Sequence, residues 1–393
     1  MKKIFFIILI CMILFQCSHT PIVKVNLDQS IPLETSPAQI NSPSIVDVKD
    51  AFRFLIHNSV KSIHICGLYF TSNLNKSILK ELKRAIERGV DVSFLFADSP
   101  FSRREFFNLD LSGYTNVKVQ FSDIAGLGNS PYGQIHAKYA IFDGRYAMLG
   151  SANFSYPAFN DNIEINALIV ETEIVRSLER IFTLDWNWAL IKGSPVKSGI
   201  TPDITDADLY QKAITLLEGA PFEINLEDVP DIDQAISSLF KKAKIQIDLE
   251  LYTITSDKDH FSFYYDLIKE AAARGVKIKL LISQSTYDAV DDSGNIKYTY
   301  MHDAINDLLK LNIEIKKFNI WKMTGTQYSA VHSKLLIVDG RYVMLGSNNY
   351  SKGATYENRE IAVMTSYTQI VFPLKRKFSS DWNSGYSELL DKN

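Results

Sequence analysis

Two histidines stand in matching blocks of sequence, His136 in HAKYAIFDGRYAMLGSANFS and His332 in HSKLLIVDGRYVMLGSNNYS. Each block carries His-x-Lys, then an aspartate, then Gly-Ser-x-Asn at one spacing: His136, Lys138, Asp143, Gly150, Ser151 and Asn153 against His332, Lys334, Asp339, Gly346, Ser347 and Asn349. A lone histidine in a strand is usually a packed or solvated residue, which is how His57, His64, His260 and His302 read. His136 and His332 escape that reading because the polar positions around them repeat with them.

These residue types suit a phosphoryl group. Lys138 and Lys334 supply positive charge, while the hydroxyls of Ser151 and Ser347 and the amides of Asn153 and Asn349 donate hydrogen bonds to non-bridging oxygens. A neutral imidazole attacks phosphorus, and a second, protonated imidazole gives a proton to the leaving oxygen. Each histidine is followed 28 residues later by a carboxylate, Glu164 and Glu360. A carboxylate on the far ring nitrogen fixes the tautomer and stabilises positive charge on the ring. No His/Cys/carboxylate cluster has metal-ligand spacing, so neither a metal nor another cofactor is expected.

The elements that position these groups read as hairpins. Asp143-Gly144 and Asp339-Gly340 lie between apolar runs and signal two-residue loops. On that count Phe142 pairs with Arg145, His136 faces Ser151 with Lys138 on its own face, and His332 faces Ser347. Asp143 and Asp339 fall in the turns, where bonding backbone amides is the expected role.

The blocks end longer repeats. ILKELKRAIERGV (78–90) and YYDLIKEAAARGV (264–276) have helical apolar spacing with Gly89 and Gly275 at expected C-caps. Each is flanked by strand candidates, SIHICGLYF and IQIDLELYT before, Val90 to Phe96 and Val276 to Ile282 after. The offset is 186 from Arg88 to Arg274 and 196 from His136 to His332, so about ten extra residues enter the second half, around TYDAVDDSGNIKYTYMHD. Asp185-Trp186 and Asp381-Trp382 close the repeats, their tryptophans expected to anchor a terminal helix. The expected architecture is two homologous α/β domains, 46–192 and 226–393, joined by a connector over 193–225 and sharing one site at a pseudo-twofold axis, in a monomer.

The chain has 393 residues, 46% of them apolar, and a formal net charge of −3, so it can bury a large core and carries no global basic field. MKKIFFIILICMILFQC opens it, two lysines and an apolar run too short to span a bilayer comfortably. That layout predicts a signal peptide over 1–17, export, and a flexible tether over 18–45, where prolines recur. Leu14-Phe15-Gln16-Cys17 resembles the lipobox of bacterial lipoproteins, which implies acylation of Cys17 and a membrane-anchored head facing the periplasm or the cell surface. Cys66 is then the remaining thiol, without a disulfide partner.

The duplicated blocks resemble the phospholipase D superfamily, whose mark is a doubled His-x-Lys-x4-Asp-x6-Gly-Ser/Gly-x-Asn motif. The resemblance covers both halves from about residue 46 to the end. It implies one shared site, with His136 as nucleophile through a phosphohistidine, His332 as general acid, the lysines, serines and asparagines on the phosphate, and Glu164 and Glu360 orienting the rings. A phosphodiesterase acting on the phosphatidyl group of phospholipids is the expected function, at a membrane surface. A metal-independent nuclease acting on nucleic acid and a cardiolipin synthase-like transferase are the alternatives.

Overall fold

The computed structural model describes residues 22–37, 45–124, 133–191, 210, 212–219, 221, 224–256, 261–297, 299–327 and 329–391. The expected signal peptide and Cys17 lie outside the described residues. Among the described residues no helix is long and apolar enough to cross a membrane.

The first half is built on strands β1 (Ile31–Thr35), β2 (Val46–Asp47), β3 (Ser62–Gly67), β4 (Asp91–Ala97), β5 (Val117–Ser122), β6 (Tyr139–Phe142), β7 (Tyr146–Gly150) and β8 (Glu164–Ile169). They form one mixed sheet in the order β2-β1-β8-β7-β6-β3-β4-β5. The second half holds β9 (Ile214–Glu218), β10 (Gln246–Leu251), β11 (Lys277–Ser283), β12 (Glu314–Phe318), β13 (Lys334–Val338), β14 (Tyr342–Gly346), β15 (Ile361–Thr365) and β16 (Ser387–Leu389). Its sheet runs β16-β12-β11-β10-β13-β14-β15-β9. Read from opposite ends, the orders coincide, with β1 answering β9, β8 answering β15, and β3-β4-β5 answering β10-β11-β12. Parallel pairs β3–β4–β5 and β10–β11–β12 are linked by helices, as right-handed crossovers require.

Local chemistry explains the flanking helices. Asp47 caps helix Val48–Asn58 by accepting from the amides of Lys49 and Asp50, and Asp231 caps helix Ile232–Lys242 in the same way. Gly89 and Gly275 end helices Lys76–Glu87 and Phe261–Ala273 with φ of 90° and 83°, left-handed values that a glycine adopts without a Cβ clash. Alternation along β3 sends Ile63 and Ile65 under helices 48–58 and 76–87, and sends His64 and Cys66 to the other face. That other face belongs to a core continuous across both halves, where Leu178, Ile181 and Phe182 of helix Thr172–Ile191 join Ile370, Leu374 and Phe378 of helix Thr368–Trp382. Trp382 is buried there and Trp186 packs against it, as expected of terminal anchors. The second-half insertion lies between helix Gln284–Tyr287 and helix Thr299–Leu309, where Val290 bridges Ile296.

Two expectations about boundaries are corrected. Residues 31–35 of the expected tether are β1, paired antiparallel with β8 from Ile31↔Leu168 to Thr35↔Glu164, because Leu33 and Glu34 are fully buried beside it. Residues 214–218 of the expected connector are β9, paired with β15 in the equivalent place. Proline-rich flanks hid both strands, since a strand of five residues carries little periodic signal.

The hairpin register is also corrected by one residue. Phe142 pairs with Tyr146 and Val338 with Tyr342, so each loop has three residues, with Asp143 and Asp339 at φ of 55° and 53°. Arg145 and Arg341 donate their amides back to Phe142 and Val338 inside the loop, at 3.0 and 2.9 Å, and are therefore not paired across it.

Candidate functional site

Each histidine lies just ahead of its strand, and its backbone is held by the other half. Ile135 bridges Arg359, and the amides of His136 and Ala137 donate to the Arg359 carbonyl at 3.0 and 2.6 Å. Reciprocally, Val331 bridges Ile163, and the His332 amide donates to the Ile163 carbonyl at 2.8 Å. Arg359 and Ile163 immediately precede Glu360 and Glu164. The exchange therefore carries each glutamate to the histidine of the opposite half: His136 Nδ1 lies 2.7 Å from Glu360 Oε1, and His332 Nδ1 lies 3.0 Å from Glu164 Oε2. A contact pattern in which one half does to the other what the other does to it is the signature of a twofold relation.

Both glutamates are fully buried. Burial alone pushes a carboxyl up, but the facing histidine, the neighbouring lysine and the serine hydroxyl outweigh it and hold both below the usual carboxylate value. With Nδ1 bonded to a carboxylate, Nε2 is the ring nitrogen left to face a substrate. Burial also pushes the imidazoles down, His332 to about 4 and His136 below its ordinary value, despite the carboxylates.

The serines are placed differently from expectation. Ser151 Oγ donates to Glu164 Oε2 at 2.6 Å and accepts from the Ile165 amide at 3.0 Å; Ser347 does the same with Glu360 and Ile361. Both are wholly buried with their protons given to the glutamates, so they hold the carboxylates and do not line the phosphate position.

Lys138 and Lys334 donate to the backbone carbonyls of their own histidines, His136 and His332. Burial pushes their ammonium groups down, to about 8 for Lys138 and about 7 for Lys334, opposed by Glu360 and Glu164. Each lysine feels the carboxylates of both halves, and Lys334 also feels Lys138, which places all six groups in one electrostatic neighbourhood. Asn153 and Asn349 sit just past the ends of β7 and β14, each with its Oδ1 buried and unbonded.

Asp143 and Asp339 take the expected structural role. Asp143 accepts from the amides of Val60, Lys61 and Ser62, and Asp339 from those of Lys244, Ile245 and Gln246. Each carboxylate thus staples its hairpin to the start of β3 or β10. Of the remaining histidines, His57 pairs with Glu81, His64 with Glu179, and His302 stacks on Tyr287, all away from the site; His260 lies outside the described residues.

Three residues of the site were not singled out from sequence. Asn162 donates to Glu164 Oε1 at 3.0 Å and accepts from the Ala330 amide at 3.0 Å, tying the glutamate to the segment before His332. The repeated Asn-x-Glu of Asn162-Ile163-Glu164 and Asn358-Arg359-Glu360 was its available signal. Arg359 is fully buried, with Asp185 at 3.0 Å, Glu218 at 3.0 Å and Asn225 at 2.6 Å around its guanidinium. Tyr252 packs edge-on against His332 at 4.7 Å between ring centres, with the Lys334 ammonium 5.1 Å above its own ring.

Comparison with known proteins bears on this arrangement. A family model described as cardiolipin synthase, PLD-like domain matches residues 53–186 and again 236–382. The human 5'-3' exonuclease PLD4 is 20% identical over 406 residues, covering 93% of this chain and 78% of that protein. The probable cardiolipin synthase YwiE of Bacillus subtilis is 22% identical over 328 residues, with 81% of this chain aligned to 61% of its length. In fold, the chain is similar to the phosphatidylserine synthase of Haemophilus influenzae, with a TM-score of 0.66 and 14% identity over 94% of this chain and 88% of that one. With one site assembled reciprocally from two halves, each of them matched by the same model, the chain belongs to the phospholipase D-like family, under the cardiolipin synthase, PLD-like domain description.

Proposed function

We propose that the protein is a phosphodiesterase that hydrolyses, or transfers to an alcohol, the phosphatidyl group of phospholipids through a phosphohistidine intermediate. The observation that carries the reading is the pair of reciprocal His–Glu contacts, which leave Nε2 free on a histidine from each half, both within electrostatic range of the same two lysines. Neutral His136, with its Nδ1–H on Glu360, attacks phosphorus through the Nε2 lone pair. The phosphorus–oxygen bond to the leaving alcohol breaks, and that oxygen takes the Nε2 proton of His332, whose charge Glu164 stabilises. Water or a second alcohol then attacks the phosphohistidine, gives its proton to His332, and releases the phosphatidyl group and a neutral His136.

An anionic substrate supplies what the buried rings lack. Burial lowers the proton affinity of both imidazoles in the free protein, and the negative charge of a phosphodiester beside them opposes that. Lys138 and Lys334 neutralise the non-bridging oxygens, and the Nδ2 groups of Asn153 and Asn349 donate hydrogen bonds to them. Similarity to a cardiolipin synthase and a phosphatidylserine synthase supports a phosphatidyl substrate; similarity to an exonuclease over 93% of the chain supports nucleic acid as the second reading.

Lipoprotein anchoring at Cys17 belongs to the same proposal, since it holds the site at a membrane surface. Phosphatidic acid release and phosphatidyl transfer to a primary alcohol are measured on mixed phospholipid vesicles, beside digestion of a 5'-phosphorylated oligonucleotide. Lipid product from the native protein, absent in His136→Ala and His332→Ala, supports the reading; oligonucleotide cleavage without lipid product replaces it with the nuclease.

A further inference from the structure

Away from the catalytic groups, helix Lys76–Glu87 and the loop after helix Pro100–Phe107 enclose a pocket of about 280 Å³. Lys76, Lys80 and Lys83 line one side of it, at the i, i+4, i+7 spacing that places three side chains on one helical face. Leu79, Leu82, Leu109 and Leu111 line it as well. From sequence the run LKELKRAIERG reads as a solvated face, and Lys80 is exposed as that reading expects, with leucines beside it in the pocket.

Three lysines and no carboxylate line this pocket. None of the three lysines has a carboxylate within ion-pairing distance among the described residues. Glu81 of the same helix is buried on the other face, bonded to His57 and Arg84. Glu105, at the mouth, is occupied by the amide and hydroxyl of Ser72 at 3.1 and 2.9 Å. Phe107, next to the loop, is 66% exposed, an aromatic ring presented to the outside beside a cationic pocket. Three cations over leucines, with an exposed phenylalanine at the rim, match an anion joined to hydrocarbon.

We infer that this pocket binds the headgroup and first acyl segment of an anionic phospholipid, as a docking site separate from the catalytic one. Its place in the fold makes that useful. Ser72 follows Thr71, whose amide donates to the Phe154 carbonyl at 2.9 Å, and Phe154 follows Asn153. Ser72, one of the lining residues, therefore lies past the C-terminal end of β3, the end at which β6 begins and the histidines lie. A lipid held there keeps the catalytic mouth at the bilayer. The role rests on the phospholipid reading, while the binding itself is independent of it.

The test is calorimetric titration of the full chain, in a His136→Ala, His332→Ala background that prevents turnover, with dihexanoyl-phosphatidylglycerol below its micellar concentration. Dihexanoyl-phosphatidylcholine, inorganic phosphate and a 5'-phosphorylated oligonucleotide are titrated in parallel. Binding of the phosphatidylglycerol, weakened roughly fivefold for each of Lys76→Glu, Lys80→Glu and Lys83→Glu and also weakened by Leu111→Glu, is the expected result. Phosphatidylglycerol binding that ignores the lysine substitutions overturns the inference. So does inorganic phosphate binding as tightly as the lipid, which makes this a simple anion site, or an oligonucleotide binding tightest, which makes it a backbone track. Failure of the phospholipid reading shows separately, as lipid binding at the pocket by a protein whose intact active site releases no lipid product.

Discussion

His136 Nδ1 and Glu360 Oε1 stand 2.7 Å apart although 224 residues separate them, and each motif histidine takes its glutamate from the opposite half of the chain. Glu360→Gln is therefore expected to damage the first half's histidine. It should lower kcat about 10²–10⁴-fold, and Glu360→Gln added to His136→Ala should cost little more. Steady-state rates of the two single variants and the double variant check this, and additive losses would sink it.

The lysines set the alkaline limb. Lys334 and Lys138 are depressed by burial to about 7 and about 8, so their charge is lost as pH rises through that range, well before an exposed lysine would titrate. kcat/KM, which reports the free protein, is expected to fall above about pH 7 to 8. Bound phosphate favours the charged lysines, so the limb in kcat should lie at higher pH. Profiles of both parameters on one substrate decide it; coincident limbs near pH 10 would contradict it.

Asp143 accepts three backbone amides from a residue at positive φ. Asp143→Ala leaves those donors without their acceptor and is expected to cost about 1–3 kcal/mol. Asp143→Asn keeps an oxygen and tolerates the left-handed backbone, so it should cost less. Denaturant midpoints for the pair, and for Asp339→Ala and Asp339→Asn, give the comparison.

Gly150 is a contact position between β7 and β8. A Cβ there would lie 2.4 Å from the Ile165 carbonyl oxygen and 2.5 Å from the Asn166 Cα, in rigid sheet backbone one residue from Glu164. Gly150→Ala is expected to lose about 1–3 kcal/mol or more and, by shifting β8, to lower kcat as well. Thermal unfolding and activity measured on the same preparation test both effects.

Glu218 beside Arg359 is pushed by burial to about 7. Between about pH 4.5 and 7 the folded protein then holds a proton that the unfolded chain has lost, so this residue makes stability decline as pH rises across that window. Glu218→Gln should flatten that part of the stability curve. Unfolding free energies at pH 5 and pH 7, native against variant, show whether the difference closes.

Much of this was readable before any coordinates. The doubled block named the histidines, lysines, asparagines and glutamates, because duplication preserves spacing and spacing is visible in one dimension. The turn aspartates were also legible, since a short carboxylate at an Asp-Gly loop has amides to bond. Ser151 and Ser347 donate to Glu164 and Glu360, a contact the sequence did not show, since a hydroxyl serves a phosphate or a carboxylate equally well and the fold sets which lies beside it. Strands β1 and β9 escaped notice because five-residue strands gain their stability from the neighbours they pair with, not from their own pattern.

The sequence by itself determined that there are two equivalent halves and that the histidines, lysines, asparagines and glutamates recur in both at one spacing, since these follow from residue type and periodic spacing. Only the tertiary structure decided the partners. Arg359 and Ile163 hand their carbonyls to the opposite histidine segments, and this crosses the glutamates over. Hydrogen bonds across the interface between halves depend on distances that no linear count contains.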